Sequence, residues 1–205
     1  MTDSLYDSEF FRKRTTKMRN WEMKLGYDIA KRYAITSLVD FGCGVGSFLE
    51  GALQAGTKHV RGYELNYDIA KAYLPDSVAR YISYGDVGTR IDCPMSDCSM
   101  SVEVAEHIDP SQSDEFVRNL TFSASRMIFV TAAPPGQNGI GHINCQKQDF
   151  WIKKFLFYDW VIAVEETVNT SKAWHKILNN IFPKRNGPNY VADNLMIFKK
   201  HAAVH

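Results

Sequence analysis

The sequence predicts an α/β protein: a seven-stranded, mostly parallel, doubly wound sheet with helices on both faces and a helical segment ahead of it. Three observations lead there. Short β-prone runs alternate with helix-like segments along most of the chain, the pattern of strands joined by crossover helices. A glycine-rich turn over Gly42, Gly44 and Gly46 separates an apolar run from a helix-like one. A chain of 205 residues, 45% of them hydrophobic, can bury one substantial core, so a single domain is expected over 1–205.

The elements follow in order. Between Ser8 and Arg32, Phe11, Met18, Trp21, Leu25 and Ile29 recur mostly at three-to-four residue steps, which predicts one or two amphipathic helices. This N-terminal helical segment, 1–36, is expected to act as a lid on the core, 37–205. β-prone runs come at Ser37–Gly42, Val60–Leu65, Arg80–Asp86, Met100–Val104, Met127–Thr131, Val161–Thr167 and Leu195–Lys199. Helix-like segments lie at Ser47–Ala55, Tyr67–Tyr73, Ser111–Ser125 and Gln148–Tyr158. Ala132–Cys145 and Asn169–Asp193 are the least regular stretches. They follow late strands, where open α/β sheets bind ligands, and are expected to bind substrate.

Composition narrows the function. Lys plus Arg (24) nearly balances Asp plus Glu (23), unlike a protein held to nucleic acid mainly by phosphate neutralisation. No stretch approaches the roughly 20 apolar residues of a membrane span, and the start MTDSLYDSEFF lacks a signal-peptide pattern. A soluble, cytoplasmic protein with no membrane partner is expected. Cys43, Cys93, Cys98 and Cys145 are scattered without a C-x-x-C pair, the pattern of reduced, incidental thiols.

A glycine-rich turn after a buried strand bares the backbone to a ligand, because no Cβ blocks it and positive φ is allowed. Dinucleotide enzymes need G-x-G-x-x-G with the pyrophosphate at a helix N-terminus. Here the pattern is G-x-G-x-G and Ser47 takes the next place, which disfavours NAD. The stretch "VDFGCGVG" from Val39 resembles the first motif of the class I S-adenosylmethionine-dependent methyltransferases. Glu64 in "GYELN" lies 22 positions after Gly42, near the ~20-residue offset of a strand–helix–strand unit. "YGDV" with Asp86 and "SVEVAEHI" extend the match, so four ordered motifs span roughly 37–108, far more specific than a lone glycine loop.

The resemblance implies a Rossmann-like class I methyltransferase fold and S-adenosylmethionine as cofactor. It implies that Gly42, Gly44 and Gly46 open the backbone to the methionine and ribose portions and that Asp40 holds the ammonium group. Glu64 would accept from the ribose hydroxyls, Asp86 would contact the adenine amino group, and Leu65 and Val87 would flank its ring. Glu103 would face the methionine end.

Methyl transfer to an unactivated hydroxyl needs the proton removed or the oxygen polarised. Glu103, Glu106 and His107 can converge where a strand runs into a helix, and two carboxylates with an imidazole suit a divalent ion such as Mg or Mn. This E-x-x-E-H signature is similar to that of metal-assisted O-methyltransferases, including small-RNA 2′-O-methyltransferases, which add a later histidine where His142 stands here. The same signature also occurs in class I methyltransferases that use no metal. His142 is then a candidate base, and His142, Asn144 and Gln146 alternate, so an extended chain puts them on one acceptor-binding face. The stretch "APPGQNGIGHINCQKQDFWIKKF" with the later "NLMIFKK" is similar to a small, uncharacterised branch of these enzymes, associated with glycan or secondary-metabolite modification.

An N/D-P-P-Y/F motif after the fourth strand, expected for base N-methylation, is absent, and Cys93-Pro94 reverses the order a cytosine C5 enzyme needs. An oxygen acceptor follows, first a small hydroxylated metabolite or sugar, second an RNA ribose. Arg12, Lys13, Arg14, Lys17 and Arg19 form either a solvated helix face or a basic lid for an anionic acceptor such as RNA, which Lys184 and Arg185 would extend. Trp151, Trp160 and Trp174 are expected to pack in the core. Two other classes compete: an NAD(P)-binding oxidoreductase and a non-catalytic Rossmann-like binding module.

Overall fold

The structure is a computed structural model in which residues 6–183 and 189–201 are described. Seven strands form one sheet in the order β3-β2-β1-β4-β5-β7-β6. The mostly parallel, helix-flanked α/β architecture expected from the sequence is present, and the chain divides into two compact units, Met1–Val87 and Gly88–His205.

The first unit begins with α1 (Ser8–Lys13), a π-helical turn (Arg14–Met18) and α2 (Arg19–Arg32). Asp7 caps α1 by accepting from the Phe10 N–H at 2.9 Å. β1 (Ser37–Phe41) is buried along nearly its whole length, as a central parallel strand should be. It pairs in parallel with β2 (His59–Glu64), which pairs in parallel with the short β3 (Ile82–Tyr84). α3 (Ser47–Gln54) joins β1 to β2, and α4 (Tyr67–Ala70) with a 3₁₀ turn at Lys71–Tyr73 follows β2.

Helices α2 and α3 pack backbone against backbone. A Cβ on Gly26 would stand 2.2 Å from the Phe48 carbonyl oxygen, and one on Gly51 would stand 2.0 Å from that of Met23. Trp21 lies edge-on to Phe48 with centroids 6.1 Å apart, and Leu25, Ile29, Leu38 and Leu49 fill the layer beneath.

In the second unit β4 (Ser96–Val102) runs parallel to β5 (Ala124–Thr131), with α5 (Ser113–Phe122) between them in sequence. α6 (Gln148–Leu156) leads to β6 (Trp160–Ile162), α7 (Val164–Ile181), α8 (Tyr190–Asp193) and β7 (Leu195–Lys200). β7 is antiparallel to both β5 and β6. Trp151, Trp160 and Trp174 are buried as expected, and Phe155 stacks on Phe198 at 4.1 Å.

Several boundaries differ from the sequence expectation by a few residues, β4 among them, which runs from Ser96 and not from Met100, and two segments differ more. Val161–Thr167 is not one strand: β6 stops at Ile162, and most of Asn169–Asp193, expected to be irregular, continues the long helix α7. Thr170, Trp174 and Leu178 recur every fourth residue and are buried, and this helical stripe outweighs the β-propensity of "VIAV". The strand expected at Arg80–Asp86 shrinks to Ile82–Tyr84 because a 3₁₀ turn, Ala79–Tyr81, occupies its start. Lys184 and Arg185 lie outside the described residues. Among those described, no helix is long and apolar enough to cross a membrane.

The glycine contacts give a test. Gly51→Ala is expected to lower the unfolding free energy by about 1–3 kcal/mol, read from the urea midpoint; an unchanged midpoint would mean that α2 and α3 do not meet at their backbones.

Candidate active site

In the first unit the glycine turn leaves the carboxyl end of β1 with φ of 81°, 57° and 76° at Gly42, Gly44 and Gly46, values that favour glycine. Gly42 and Cys43 donate their N–H groups to the Tyr63 carbonyl at 2.8 and 3.0 Å, which closes the turn onto β2. At the end of β2, Glu64 is buried. Its Oε2 accepts from the Gly44 N–H at 3.0 Å and its Oε1 from the Asn66 N–H at 2.9 Å. A carboxylate has about four acceptor sites, so Glu64 keeps capacity for hydroxyl donors.

Gly85 donates to the Glu64 carbonyl at 3.2 Å, which holds the segment of Asp86 and Val87 beside this strand end. Val87 is buried, Asp86 is partly buried two residues beyond β3, and Leu65 is 50% exposed.

Asp40 is buried and its Oδ2 has no hydrogen-bond partner. Burial pushes its carboxyl up to about 8, with Arg14 opposing and the carboxylates of Glu22 and Glu64 adding to the rise. Burial likewise raises the carboxyl of Glu22. Arg14 reaches this group from the π-helical turn: its Nη2 lies 2.5 Å from Glu22 Oε1, although that oxygen completes no hydrogen bond, so the contact is ionic. The Arg14–Glu22 pair was not foreseen. Its signal was Glu22 itself, a carboxylate on the same helical face as Leu25, Gly26 and Ile29.

The basic N-terminal cluster is mostly paired. Arg12 and Lys13 meet Glu9, Arg14 meets Glu22, and Arg19 makes a two-point contact with Glu50 at 2.9 and 2.6 Å.

In the second unit Glu103 directly follows β4, and its φ of 54° is uncommon for a residue with a side chain. Its N–H donates to Thr131 Oγ1 at 2.8 Å, and its two carboxylate oxygens accept from the amides of Asn194 and Gln137, each at 3.4 Å. Three residues on, Glu106 is fully buried. Its backbone carbonyl accepts from Ile143 and Asn144 at 2.9 and 3.0 Å, which folds the loop after β5 back onto the loop after β4.

Glu106, His107 and His142 each point one ligand atom into a common space, all within 4.8 Å of one another. Both histidine tautomers are set by carbonyls, which only accept: His107 Nδ1–H donates to the Gly141 carbonyl and His142 Nδ1–H to that of Gln137, both at 3.1 Å. In each ring the contact to a carbonyl is made by Nδ1 and not by Nε2. The His142 Nε2 lies 4.0 Å from Glu106 Oε1, and a Cβ on Gly139 would stand 2.1 Å from it, so glycine makes room for the ring.

Neither carboxylate oxygen of Glu106 completes a hydrogen bond. Burial and the Glu103 carboxylate push this group up to about 8, and the nearby N–H groups of Glu106 and Ala133 oppose the rise without hydrogen-bond geometry. One carboxylate and two imidazole lone pairs suit a borderline divalent cation better than a hard one. Glu103 stands beside the cluster rather than within it.

Asn144 does not share an acceptor-facing surface with His142. It is buried, and its amide donates to the Ala105 carbonyl at 3.2 Å and to Ser113 Oγ at 3.1 Å, while Gln146 donates to Asn144 Oδ1 at 3.1 Å. The segment is irregular, so side chains do not alternate across it. Cys145 Sγ lies 3.6 Å from His142 Nδ1, an unforeseen neighbour; none of the four cysteines is in a disulfide.

The sequence matches no protein-family model and no curated protein. Solved structures do match. The methyltransferase domain of bacterial CtHen1-C is 16% identical with TM-score 0.57, covering 88% of this chain and 98% of that one. The chain has the fold of these methyltransferases. An O-methyltransferase from a trans-AT PKS multienzyme of Brevibacillus brevis, solved with S-adenosyl-L-homocysteine, is 16% identical with TM-score 0.58, covering 88% of this chain and 72% of that one. A sugar N-methyltransferase from Streptoalloteichus sp is 11% identical with TM-score 0.60, covering 94% of this chain and 92% of that one.

The raised Asp40 carboxyl has a consequence for stability. Between its ordinary value near 3.8 and its folded value of about 8, the folded chain holds a proton that the unfolded chain has lost. Stability from this group therefore falls as pH rises through that window. Asp40→Asn is expected to flatten the pH dependence of the urea midpoint there by up to one proton; equal slopes in both proteins would show that Asp40 ionises normally.

Proposed function

We propose that this protein is an S-adenosylmethionine-dependent methyltransferase acting on a hydroxyl of a small metabolite or sugar. The observation that carries the reading is the bond from the Gly44 N–H to Glu64, beside a buried Asp40 with an unpartnered oxygen. That cradle of bare glycine backbone and acceptors fits a nucleoside joined to an ammonium-bearing chain. Glu64 would accept from ribose hydroxyls, Asp40 from the ammonium, and Asp86 would stand at the adenine, with Leu65 and Val87 on its faces. When bound, S-adenosylmethionine supplies an electrophilic methyl group.

A dinucleotide fits less well, because a pyrophosphate would meet the acidic side chains of Asp40 and Glu64. The bound S-adenosyl-L-homocysteine of the Brevibacillus brevis enzyme supports the cofactor class for this fold.

For the acceptor, the second unit offers Glu106, His107 and His142 to hold a divalent ion, with Glu103 beside them. The orphaned oxygens of Glu106 and the two carbonyl-fixed imidazoles support this donor set. Such an ion, when bound, lowers the pKa of an attached hydroxyl. The same tautomer leaves His142 Nε2 able to take a proton directly, so the metal-free reading uses the same side chain. The pairing of four of the five N-terminal cations with carboxylates supports a small acceptor over RNA.

Calorimetric titration tests the cofactor. S-adenosylmethionine is expected to bind, NAD is not, and Glu64→Ala is expected to weaken the interaction by about 10- to 100-fold; a preference for NAD would overturn the assignment. A screen of hydroxylated acceptors, followed by S-adenosylhomocysteine formation, tests the chemistry. His142→Ala is expected to lower turnover by about 100-fold or more without changing cofactor binding. Loss of turnover with EDTA, restored by a divalent ion and better by a borderline one such as Co or Ni than by Mg, supports the ion, and turnover indifferent to EDTA leaves His142 as the base.

A further inference from the structure

We infer that Arg14 is the residue that binds the carboxylate of the cofactor's amino-acid end, which makes the glycine cleft a receptor for an α-amino-acid zwitterion. This rests on the cofactor reading above and adds a residue that the sequence motifs do not contain.

The chain delivers Arg14 to the glycine turn by construction. The π-helical turn Arg14–Met18 interrupts the N-terminal helix, and such turns re-aim side chains. It is pinned on both sides. Before it, Phe11 is buried against Val45 and Ala70 and stacks on Tyr73 at 6.5 Å. After it, Arg19 grips Glu50, which also accepts from Ser77 Oγ at 2.9 Å. Between these anchors the Arg14 side chain lies across Gly44, so near that a Cβ there would be 3.1 Å from its Nε.

The guanidinium is only half used. Its Nη2 faces Glu22, whereas its Nε is buried with no hydrogen-bond partner. The Arg14 charge acts on Asp40, which is 2% exposed and carries its unpartnered Oδ2. A positive donor edge and a carboxyl oxygen, both buried and both without a hydrogen-bond partner, call for a ligand that brings an acceptor to the first and a donor to the second. An α-carboxylate and α-ammonium on one carbon are that pair. The carboxylate would accept from Arg14 as a charge-assisted hydrogen bond, and the ammonium would donate to Asp40.

Two probes separate this role from a structural one. S-adenosylhomocysteine carries the amino-acid end, and 5′-methylthioadenosine keeps the nucleoside and thioether but lacks it. In calorimetric titrations the wild-type protein is expected to bind the first more tightly. Arg14→Gln is expected to weaken S-adenosylhomocysteine by about 10- to 100-fold and leave 5′-methylthioadenosine unchanged. Arg14→Lys, which keeps the charge beside Glu22 and serves if the glutamine variant does not fold, is expected to fall between. Unchanged S-adenosylhomocysteine affinity, or an equal loss for both probes, would overturn the proposal while leaving the cofactor reading intact. Binding of neither probe to the wild-type protein would overturn that reading and this one with it.

Discussion

One hydrogen bond organises the first unit: the N–H of Gly44 to the carboxylate of Glu64, twenty positions later. A carboxylate buried at the end of a parallel strand needs donors, and the two it finds are backbone amides on either side of its own strand end. To supply one, the chain leaving β1 must turn with positive φ at Gly44, which a side chain would resist. The turn, the strand register and the acceptor are therefore fixed together before any ligand arrives. Such preorganisation lowers the ordering cost of binding.

The second unit solves a related problem with a loop. The carbonyl of Glu106 receives two N–H groups from the returning segment at Ile143 and Asn144, and the carbonyls of Gln137 and Gly141 in that segment hold the two histidines by their Nδ1 atoms. The loop therefore does more than cover the strand ends. By occupying one nitrogen of each ring it turns the other inward. The left-handed Glu103 fits the same logic, since backbone strain persists where surrounding contacts such as that to Thr131 over-determine it.

Much of this was legible in the sequence. Glycines at alternating positions after an apolar strand, with an acidic residue one strand–helix–strand unit later, named Gly44 and Glu64 as neighbours. E-x-x-E-H with a later histidine pointed to Glu103, Glu106, His107 and His142 as one set, of which the last three lie together. What could not be read came from contacts between distant segments. Asn144 alternates with His142 in sequence, yet its amide is drawn inward by the Ala105 carbonyl and Ser113. Val161–Thr167 has strand-like residues, yet the spacing of Thr170, Trp174 and Leu178 extends a helix back to Val164. Arg14 looked like one of a run of surface cations, because a π-helical turn shifts side chains off the periodicity by which a helix face is read.

Asp40 and Glu106 each carry a buried oxygen with no donor; Glu22 does too, but its oxygen faces Arg14 in an ion pair. An unsatisfied buried acceptor costs on the order of 1–3 kcal/mol, more if charged, so two of them at strand ends are best understood as places for ligands. Their neighbours decide which ligands. Beside Asp40 stands a permanent cation, Arg14, so a partner that brought only positive charge would leave the guanidinium's open edge unmet. Beside Glu106 stand two imidazoles, each held by a carbonyl at its Nδ1, and no permanently charged side chain is in that group of three. The same defect, an acceptor without a donor, therefore selects a zwitterion at one strand end and a cation at the other.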